Sequence, residues 1–178
     1  MEAGKRTISD IFNGNRILEI PFFQRSYVWG EEQWERLLQD MELVAQNNKP
    51  YFLGSVILKQ QTTDTERTVG DIRTIVDGQQ RLTTLNIFFK VLCLRNNINT
   101  SFDRVFRLIN NDIALEHNHN DIEDFNQIVS LDEEIDIDNE SNIIKAYNYF
   151  RENIILEKLD FQKIFSKNQI FLVFKKKF

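Results

Sequence analysis

The sequence predicts an α+β domain with a small mixed β-sheet and flanking helices. Of the 178 residues, 42% are hydrophobic and 12% aromatic, which is enough for a packed core. Short β-branched segments alternate with longer segments of helical periodicity.

No apolar run approaches the roughly 20 residues that span a bilayer, and the N-terminus has no signal-peptide pattern. The single Cys excludes an internal disulfide framework, so we expect a cytoplasmic protein with no membrane partner.

Six elements are predicted in the N-terminal half, separated by turns or polar segments. They are a short helix over 7–12, strands over 16–20, 51–58 and 72–76, and helices over 31–46 and 79–95. The helix over 79–95 is apolar around more than half of its circumference, so we expect it at the centre of the molecule, with Cys93 as a small buried side chain. Gly54 interrupts a strand and predicts a bulge or the close approach of another group.

The pattern is weaker in the C-terminal part. It predicts a strand over 104–109, a helix over 121–130, an acidic loop over 131–140, a helix over 142–158 and a strand over 169–174. We expect a core over residues 1–100 and an extension of helices and a strand over residues 101–178.

Residues 108–144 carry eleven Asp and Glu and no Lys or Arg, so the other 141 residues have a net charge of +6. This mildly basic part leaves room for a phosphate-bearing partner, but dispersed Lys and Arg on a surface usually serve only solubility.

The most informative segment is Ile-Val-Asp-Gly-Gln-Gln-Arg at residues 75–81, where a predicted strand meets a predicted helix. Backbone N–H groups at a helix N-terminus form an anion site, Gly78 would let the backbone approach a ligand, and Arg81 adds a positive charge. A capping box formed by Asp77 and Gln80 is the alternative. Capping alone does not account for the Arg, because the helix dipole disfavours a cation in the first turn.

Aromatic residues surround a polar pair, Gln24 and Arg25, in the aromatic segment (residues 22–29). We interpret its aromatic side chains as a local core cluster and the polar pair as solvated. The aromatic side chains are Phe22, Phe23, Tyr27 and Trp29.

Two short patterns imitate metal sites. His117-Asn118-His119 is a tripeptide, whereas the residues of the nuclease motif with those letters are dispersed over a larger unit. The acidic residues at 136, 138 and 140 lack the turn glycine and the late Glu of a calcium loop. We therefore predict no metal site at either place.

Three motifs occur in order along the chain: Ile20-Pro21-x-Phe23-Gln24-Arg25-x-Tyr27-x-Trp29, then Tyr51-Phe52-Leu53-Gly54-Ser55, then Ile75-Val76-Asp77-Gly78-Gln79-Gln80-Arg81-Leu82-Thr83-Thr84-Leu85. Together they resemble the N-terminal domain of GmrSD-type, modification-dependent restriction proteins. The resemblance is close over residues 5–95 and looser beyond. It implies a fold of the ParB/sulfiredoxin-like type and a role in restriction and phage defence.

In that family the Asp-Gly-Gln-Gln-Arg motif is associated with binding and hydrolysis of nucleoside triphosphates. The resemblance therefore implies catalytic roles for Asp77, Gln79, Gln80 and Arg81. It implies nucleotide binding by Gln24, Arg25, Gly78 and Arg81. Mg²⁺ would accompany the nucleotide, and Asp77 would ligate it or orient water. An enzyme of this kind would be a Mg²⁺-dependent NTPase.

Two other functions stay open. One is a non-enzymatic nucleic-acid-binding module, with Arg25 and Arg81 on phosphates and Phe23 or Trp29 stacking on bases. The other is a scaffold in which residues 77–80 only cap a helix.

Many relatives continue into a C-terminal HNH nuclease domain that this sequence lacks, so we expect a chain truncated relative to them and without nuclease activity of its own. DNA and a separate nuclease domain or subunit are then expected partners.

Overall fold

The computed structural model describes residues 2–12, 15–47, 51–61, 71–159, 161–165 and 170–177. The strands in this part of the chain are β1 (Glu2–Thr7), β2 (Arg16–Glu19), β3 (Tyr51–Gln60), β4 (Asp71–Asp77), β5 (Leu115–Glu116) and β6 (Ile170–Lys177). The helices are α1 (Ile8–Ile11), α2 (Glu31–Asn47), α3 (Gln79–Arg95), α4 (Asn99–Phe106), α5 (Ile122–Val129), α6 (Asn142–Asn153) and α7 (Phe161–Phe165). None of these helices combines the length and apolarity that a membrane crossing requires.

The described strands form one mixed sheet in the order β1-β6-β3-β4-β2-β5. The β1–β6 and β3–β4 pairs are antiparallel, and the β3–β6, β2–β4 and β2–β5 pairs are parallel. The predicted α+β class with a mixed sheet and flanking helices is confirmed. Most of the predicted connection between β3 and β4, residues 62–70, lies outside the described residues, as does residue 169 of the last predicted strand. The division at residue 100 stays a prediction.

Helix α3 is the central element, as predicted. Every residue from 82 to 94 is buried, and α4, α5 and α6 all contact the helix. A helix enclosed on all sides needs apolar residues all round, which explains why its sequence shows no single apolar stripe. Cys93 is fully buried, and burial raises the pKa of its thiol to about 12, so it is an inert core residue.

The predicted strand over 104–109 is wrong, because residues 104–106 form the last turn of α4 and the rest is not a strand. Phe102 and Phe106 lie one turn apart, are buried, and stack with their ring centroids 4.8 Å apart. Arg107 donates to Asp103 Oδ1 at 2.8 Å across the same turn. The helical spacing of the two Phe therefore outweighs the β-branched character of the residues between and after them.

The helix predicted over 142–158 is shorter than expected and ends at Asn153. The Arg95 guanidinium donates to the carbonyl oxygens of Arg151 and Ile154 at 2.7 and 2.8 Å. These bonds satisfy carbonyl groups that a helix C-terminus leaves unpaired. A side chain from α3 therefore fixes the end of α6.

The interpretation of the aromatic segment as a core cluster is only partly right. Phe22 and Phe23 are 76% and 72% exposed and lie edge to face with ring centroids 5.5 Å apart. Tyr27 is buried, and its hydroxyl bonds to Thr84 Oγ1 at 2.7 Å and accepts from Trp34 Nε1 at 2.8 Å. The segment is attached to the core through Tyr27, and the two Phe face away from it.

Candidate functional site

A polar cleft of about 230 Å³ lies where β4 passes into α3. Its walls come from the aromatic segment, the end of β4 and the first turn of α3. The lining residues are Gln24, Arg25, Trp29, Val76, Asp77, Gly78, Gln79, Gln80 and Arg81. The structure therefore brings all the predicted site residues to one cleft, while their chemical roles stay predictions.

Gly78 is the N-cap of α3 and has φ +100°, a conformation that L side chains rarely adopt. A Cβ at this position would lie 2.9 Å from Val56 Cγ2 and 3.2 Å from the Ser55 carbonyl oxygen. Glycine is required because the turn packs directly on β3. Gly78 therefore allows the backbone of the turn to approach the sheet closely, in addition to any approach to a ligand.

The capping alternative for Asp77 is wrong. Asp77 is the last residue of β4, and its Oδ1 accepts a 2.9 Å hydrogen bond from the adjacent Gly78 N–H. No side chain caps α3 in the described structure, and the Gln80 side chain turns away from the helix start. Among the described residues, the first-turn N–H groups of α3 therefore have no intrahelical or capping partner, and the Asp77 carboxylate is exposed beside them.

The two adjacent glutamines differ in how their amides are used. Gln80 Oε1 accepts from the backbone N–H groups of Val28 and Trp29 at 2.8 and 3.3 Å, and its Nε2 donates to the Ser26 carbonyl at 3.1 Å. Gln79 Nε2 donates to the Arg25 carbonyl at 2.8 Å, but its Oε1 is buried with no partner among the described residues. Gln80 therefore holds the aromatic segment, while Gln79 keeps an unpaired acceptor at the cleft wall.

The Arg81 side chain reaches β3 and donates from Nη1 to the Ser55 carbonyl at 2.8 Å. Gly54, at φ +130°, leaves the space for it, since a Cβ there would lie 2.7 Å from Arg81 Cζ. The pairing of β3 with β6 shifts register between Phe52 and Gly54, so the predicted bulge and close approach are both confirmed. Burial lowers the pKa of Arg81 and the nearby Asp77 charge partly offsets this, but a guanidinium remains charged.

Three polar residues of the C-terminal part hold the aromatic segment, and the sequence did not predict this role for them. Asn118 Nδ2 donates to the Gln24 carbonyl at 3.1 Å, and Asn142 Nδ2 donates to the Tyr27 carbonyl at 3.3 Å. Asp121 Oδ2 accepts from the Tyr27 N–H at 2.8 Å. Partners more than 90 residues away in sequence leave no local pattern, and the one available signal was Asp121 just before a short helix.

His117 packs behind this contact and belongs to the core. Its Nε2 bonds to Thr83 Oγ1 at 2.8 Å, its ring lies 4.4 Å from that of Phe125, and burial lowers its pKa to about 3. The 3.9 Å separation of its Nδ1 from Asp121 Oδ2 is therefore not an ion pair, because the imidazole is neutral. His119 is exposed, and the described residues contain no cluster of three His, Cys, Asp or Glu that could hold a metal.

Asp77 supplies the one carboxylate among the described residues that line the polar cleft. Magnesium in nucleotide sites is held by one or two carboxylates together with the substrate phosphates and water. A single exposed carboxylate next to an uncapped helix N-terminus fits that donor set. Asp77 is thus the residue that could hold Mg²⁺ once a nucleotide is present.

A family model described as "GmrSD restriction endonuclease, N-terminal domain" matches residues 8–176. The match includes all three motifs and continues through the C-terminal part, where the resemblance of the sequence is looser. No curated protein matches the chain.

Proposed function

The chain belongs to the N-terminal domain family of GmrSD restriction endonucleases, and from this membership and the polar cleft we propose that it binds a nucleoside triphosphate. The family makes it a module of a restriction system. One observation supports the proposal most strongly: the uncapped N-terminus of α3, the Arg81 guanidinium and the exposed Asp77 carboxylate line the same cleft.

The first turn of α3 would bind the phosphates. Unpaired N–H groups at a helix start present partial positive charge, and they favour a phosphate more when no side-chain oxygen already occupies them. The guanidinium of Arg81 is held in place by Ser55 and Gly54, so little side-chain entropy is lost when it binds an anion. Arg25, exposed on the opposite wall, adds a second positive charge.

Hydrolysis of the bound nucleotide is the proposed reaction. Mg²⁺, held by Asp77 and the phosphates, supplies charge neutralisation when bound. Arg81 offsets the charge that grows on the phosphoryl oxygens in the transition state. Gln79 orients the attacking water through its unpaired Oε1, which is buried and so requires this side chain to turn when nucleotide binds. Gln80 has no free polar atom for this task and acts as a positioning residue.

A screen of the four ribonucleoside triphosphates by thermal shift and phosphate release, with and without Mg²⁺, tests the proposal. We expect at least one of them to raise the melting temperature of the wild type, and Arg81→Ala to abolish that rise. Arg104→Ala, an exposed residue on α4 outside the cleft, is the matched control and should keep it. Equal nucleotide affinity in Arg81→Ala and the wild type would contradict the proposal.

The exposed Phe22 and Phe23 favour a second candidate function, nucleic-acid binding. Two exposed rings, two and three residues before the exposed Arg25 in the sequence, offer stacking surfaces near a positive charge. If backbone phosphates dominate binding, affinity for DNA should fall steeply with salt, in proportion to the number of phosphates neutralised. A flat response over moderate salt concentrations would rule this candidate out. DNA and a nuclease domain or subunit remain the proposed macromolecular partners.

A further inference from the structure

A second cavity of about 350 Å³ adjoins the polar cleft, and Trp29 and Arg81 line both. Its other walls are built by α2, including Leu37 and Asp40, and by the start of β3, including Tyr51 and Phe52. Building on the nucleotide binding proposed above, we propose that the second cavity is the nucleoside subsite: it takes the base and ribose of the triphosphate whose phosphates lie at the start of α3.

The two cavities differ in chemical character as the two ends of a nucleotide do. The polar cleft is lined mainly by amide, guanidinium and carboxylate groups, whereas aromatic and aliphatic side chains supply half of the second cavity's lining. Arg81 lies at their boundary and is fixed there by its bond to the Ser55 carbonyl. Together the cavities fall within the roughly 300–1,000 Å³ that is typical of small-molecule sites.

The walls of the second cavity suit a flat heterocycle with polar edges. Trp29, Tyr51 and Phe52 provide aromatic surface for stacking. Gln33 Oε1 accepts from the Gly30 N–H at 2.9 Å, and the Gln33 amide nitrogen, which has no hydrogen-bond partner among the described residues, can donate to a base edge. Asp40 accepts a hydrogen bond from the Tyr51 hydroxyl, so its carboxylate is oriented along the wall. Directional groups of this kind distinguish one base from another.

A third cavity, of about 450 Å³, borders the polar cleft on its other side and is the competing location. Gln24 and Val76 form that boundary, and Gln24 Nε2 donates to the Val76 carbonyl at 3.4 Å across it. Phe23 is the one aromatic residue among its described lining residues, and Arg81 does not reach it. The second cavity therefore matches a nucleoside better than the larger third one.

The experiment compares Mg²⁺ complexes of ATP, GTP, CTP and UTP with that of inorganic tripolyphosphate, which has the phosphates but no nucleoside. Affinities are measured by calorimetry for the wild type, Phe52→Ala and Phe23→Ala. Phe52 is 51% exposed in the second cavity and Phe23 is 72% exposed in the third, so each variant removes a largely exposed aromatic ring of the same type. Gln33→Ala, on the opposite wall of the second cavity, repeats the comparison if Phe52→Ala lowers the melting temperature.

We expect the wild type to bind at least one of the nucleotides at least about fivefold more tightly than tripolyphosphate, because base stacking adds to phosphate binding. Phe52→Ala should remove that preference and leave tripolyphosphate affinity unchanged, and Phe23→Ala should keep it. The inference is overturned if the wild type shows no preference, if Phe52→Ala keeps it, or if Phe52→Ala weakens both ligands equally. A wild-type protein that binds neither tripolyphosphate nor any of the four nucleotides would instead contradict the proposed function itself.

Discussion

The two walls of the polar cleft are built by different means. The first turn of α3 is positioned by local structure, because β4 ends, Gly78 turns the chain against β3, and a fully buried helix follows. The aromatic segment opposite has no regular structure, and side chains from α3 and from residues 118–142 bind its backbone. One wall is therefore as stable as the core, whereas the other depends on long-range polar contacts that can be removed singly.

The largest expected effect concerns His117, behind the contact between the aromatic segment and Asp121. Its pKa is about 3 in the folded protein against 6.5 ordinarily, so below pH 6.5 only the unfolded chain takes up a proton there. The stabilising contribution of neutral His117 is thus complete above pH 6.5 and is lost as pH falls towards 3, at up to about 1.4 kcal/mol per pH unit. Urea unfolding should therefore show a free energy of unfolding lower by about 2.5 kcal/mol at pH 4.5 than at pH 7.

His117→Gln should flatten that pH profile, because no group at this position then titrates in the window. His119→Gln is the matched control, the same substitution at an exposed histidine two residues away. If both variants followed the wild-type curve, a protonated His117 would have to be accommodated in the folded state.

Gly54→Ala tests, through Arg81, the wall of the polar cleft that the first turn of α3 forms. The new Cβ would lie 2.7 Å from Arg81 Cζ at a backbone φ of +130°. We expect a loss of about 2 kcal/mol in the free energy of unfolding and a marked loss of nucleotide affinity, because Arg81 is displaced. Gly30→Ala is the control: its nearest neighbour to an added Cβ is Gln33 Oε1 at 4.0 Å, so both quantities should stay near wild type.

The sequence predicted the first wall well and the second poorly, for the same reason. The strand, turn and helix at residues 72–95 follow from neighbouring residues, and so did their function as a candidate site. The exposure of Phe22 and Phe23 could not be read locally, because it depends on Asn118, Asp121 and Asn142 holding the segment with its two Phe outwards. The strand predicted at 104–109 failed because two stacked Phe fixed a helix instead.

Gln80→Ala and Gln79→Ala separate holding the segment from the proposed chemistry. Loss of Gln80 leaves three backbone groups of the aromatic segment without their partner, so unfolding studies should show a loss of about 1–2 kcal/mol. Gln79→Ala removes one hydrogen bond and also one unpaired buried oxygen, so it should cost less than about 1 kcal/mol. Phosphate release should fall more in Gln79→Ala than in Gln80→Ala. If either the loss of stability or the loss of phosphate release ranked the other way, the roles proposed for the two glutamines would be wrong.

The smallest expected effect on stability is at Asp77. Its side chain is exposed and bonds to Gly78 N–H without capping α3, so Asp77→Ala should change the free energy of unfolding by less than about 0.5 kcal/mol. Asp77→Asn keeps the shape and removes the charge, and we expect both variants to lose Mg²⁺-dependent phosphate release. A destabilised Asp77→Ala with wild-type turnover in Asp77→Asn would restore a capping role and refute the proposed metal ligand.

If the start of α3 binds the phosphates, the backbone amides of Gln79, Gln80 and Arg81 report that binding directly. Their ¹H–¹⁵N resonances can be followed by NMR while Mg²⁺-tripolyphosphate or a Mg²⁺-nucleoside triphosphate is added. Hydrogen bonding to phosphate should move these three amide protons downfield more than those elsewhere in the described chain, with Arg81 Nε–H shifting in parallel. Saturable binding that leaves these resonances in place, or moves a different region instead, would contradict the account.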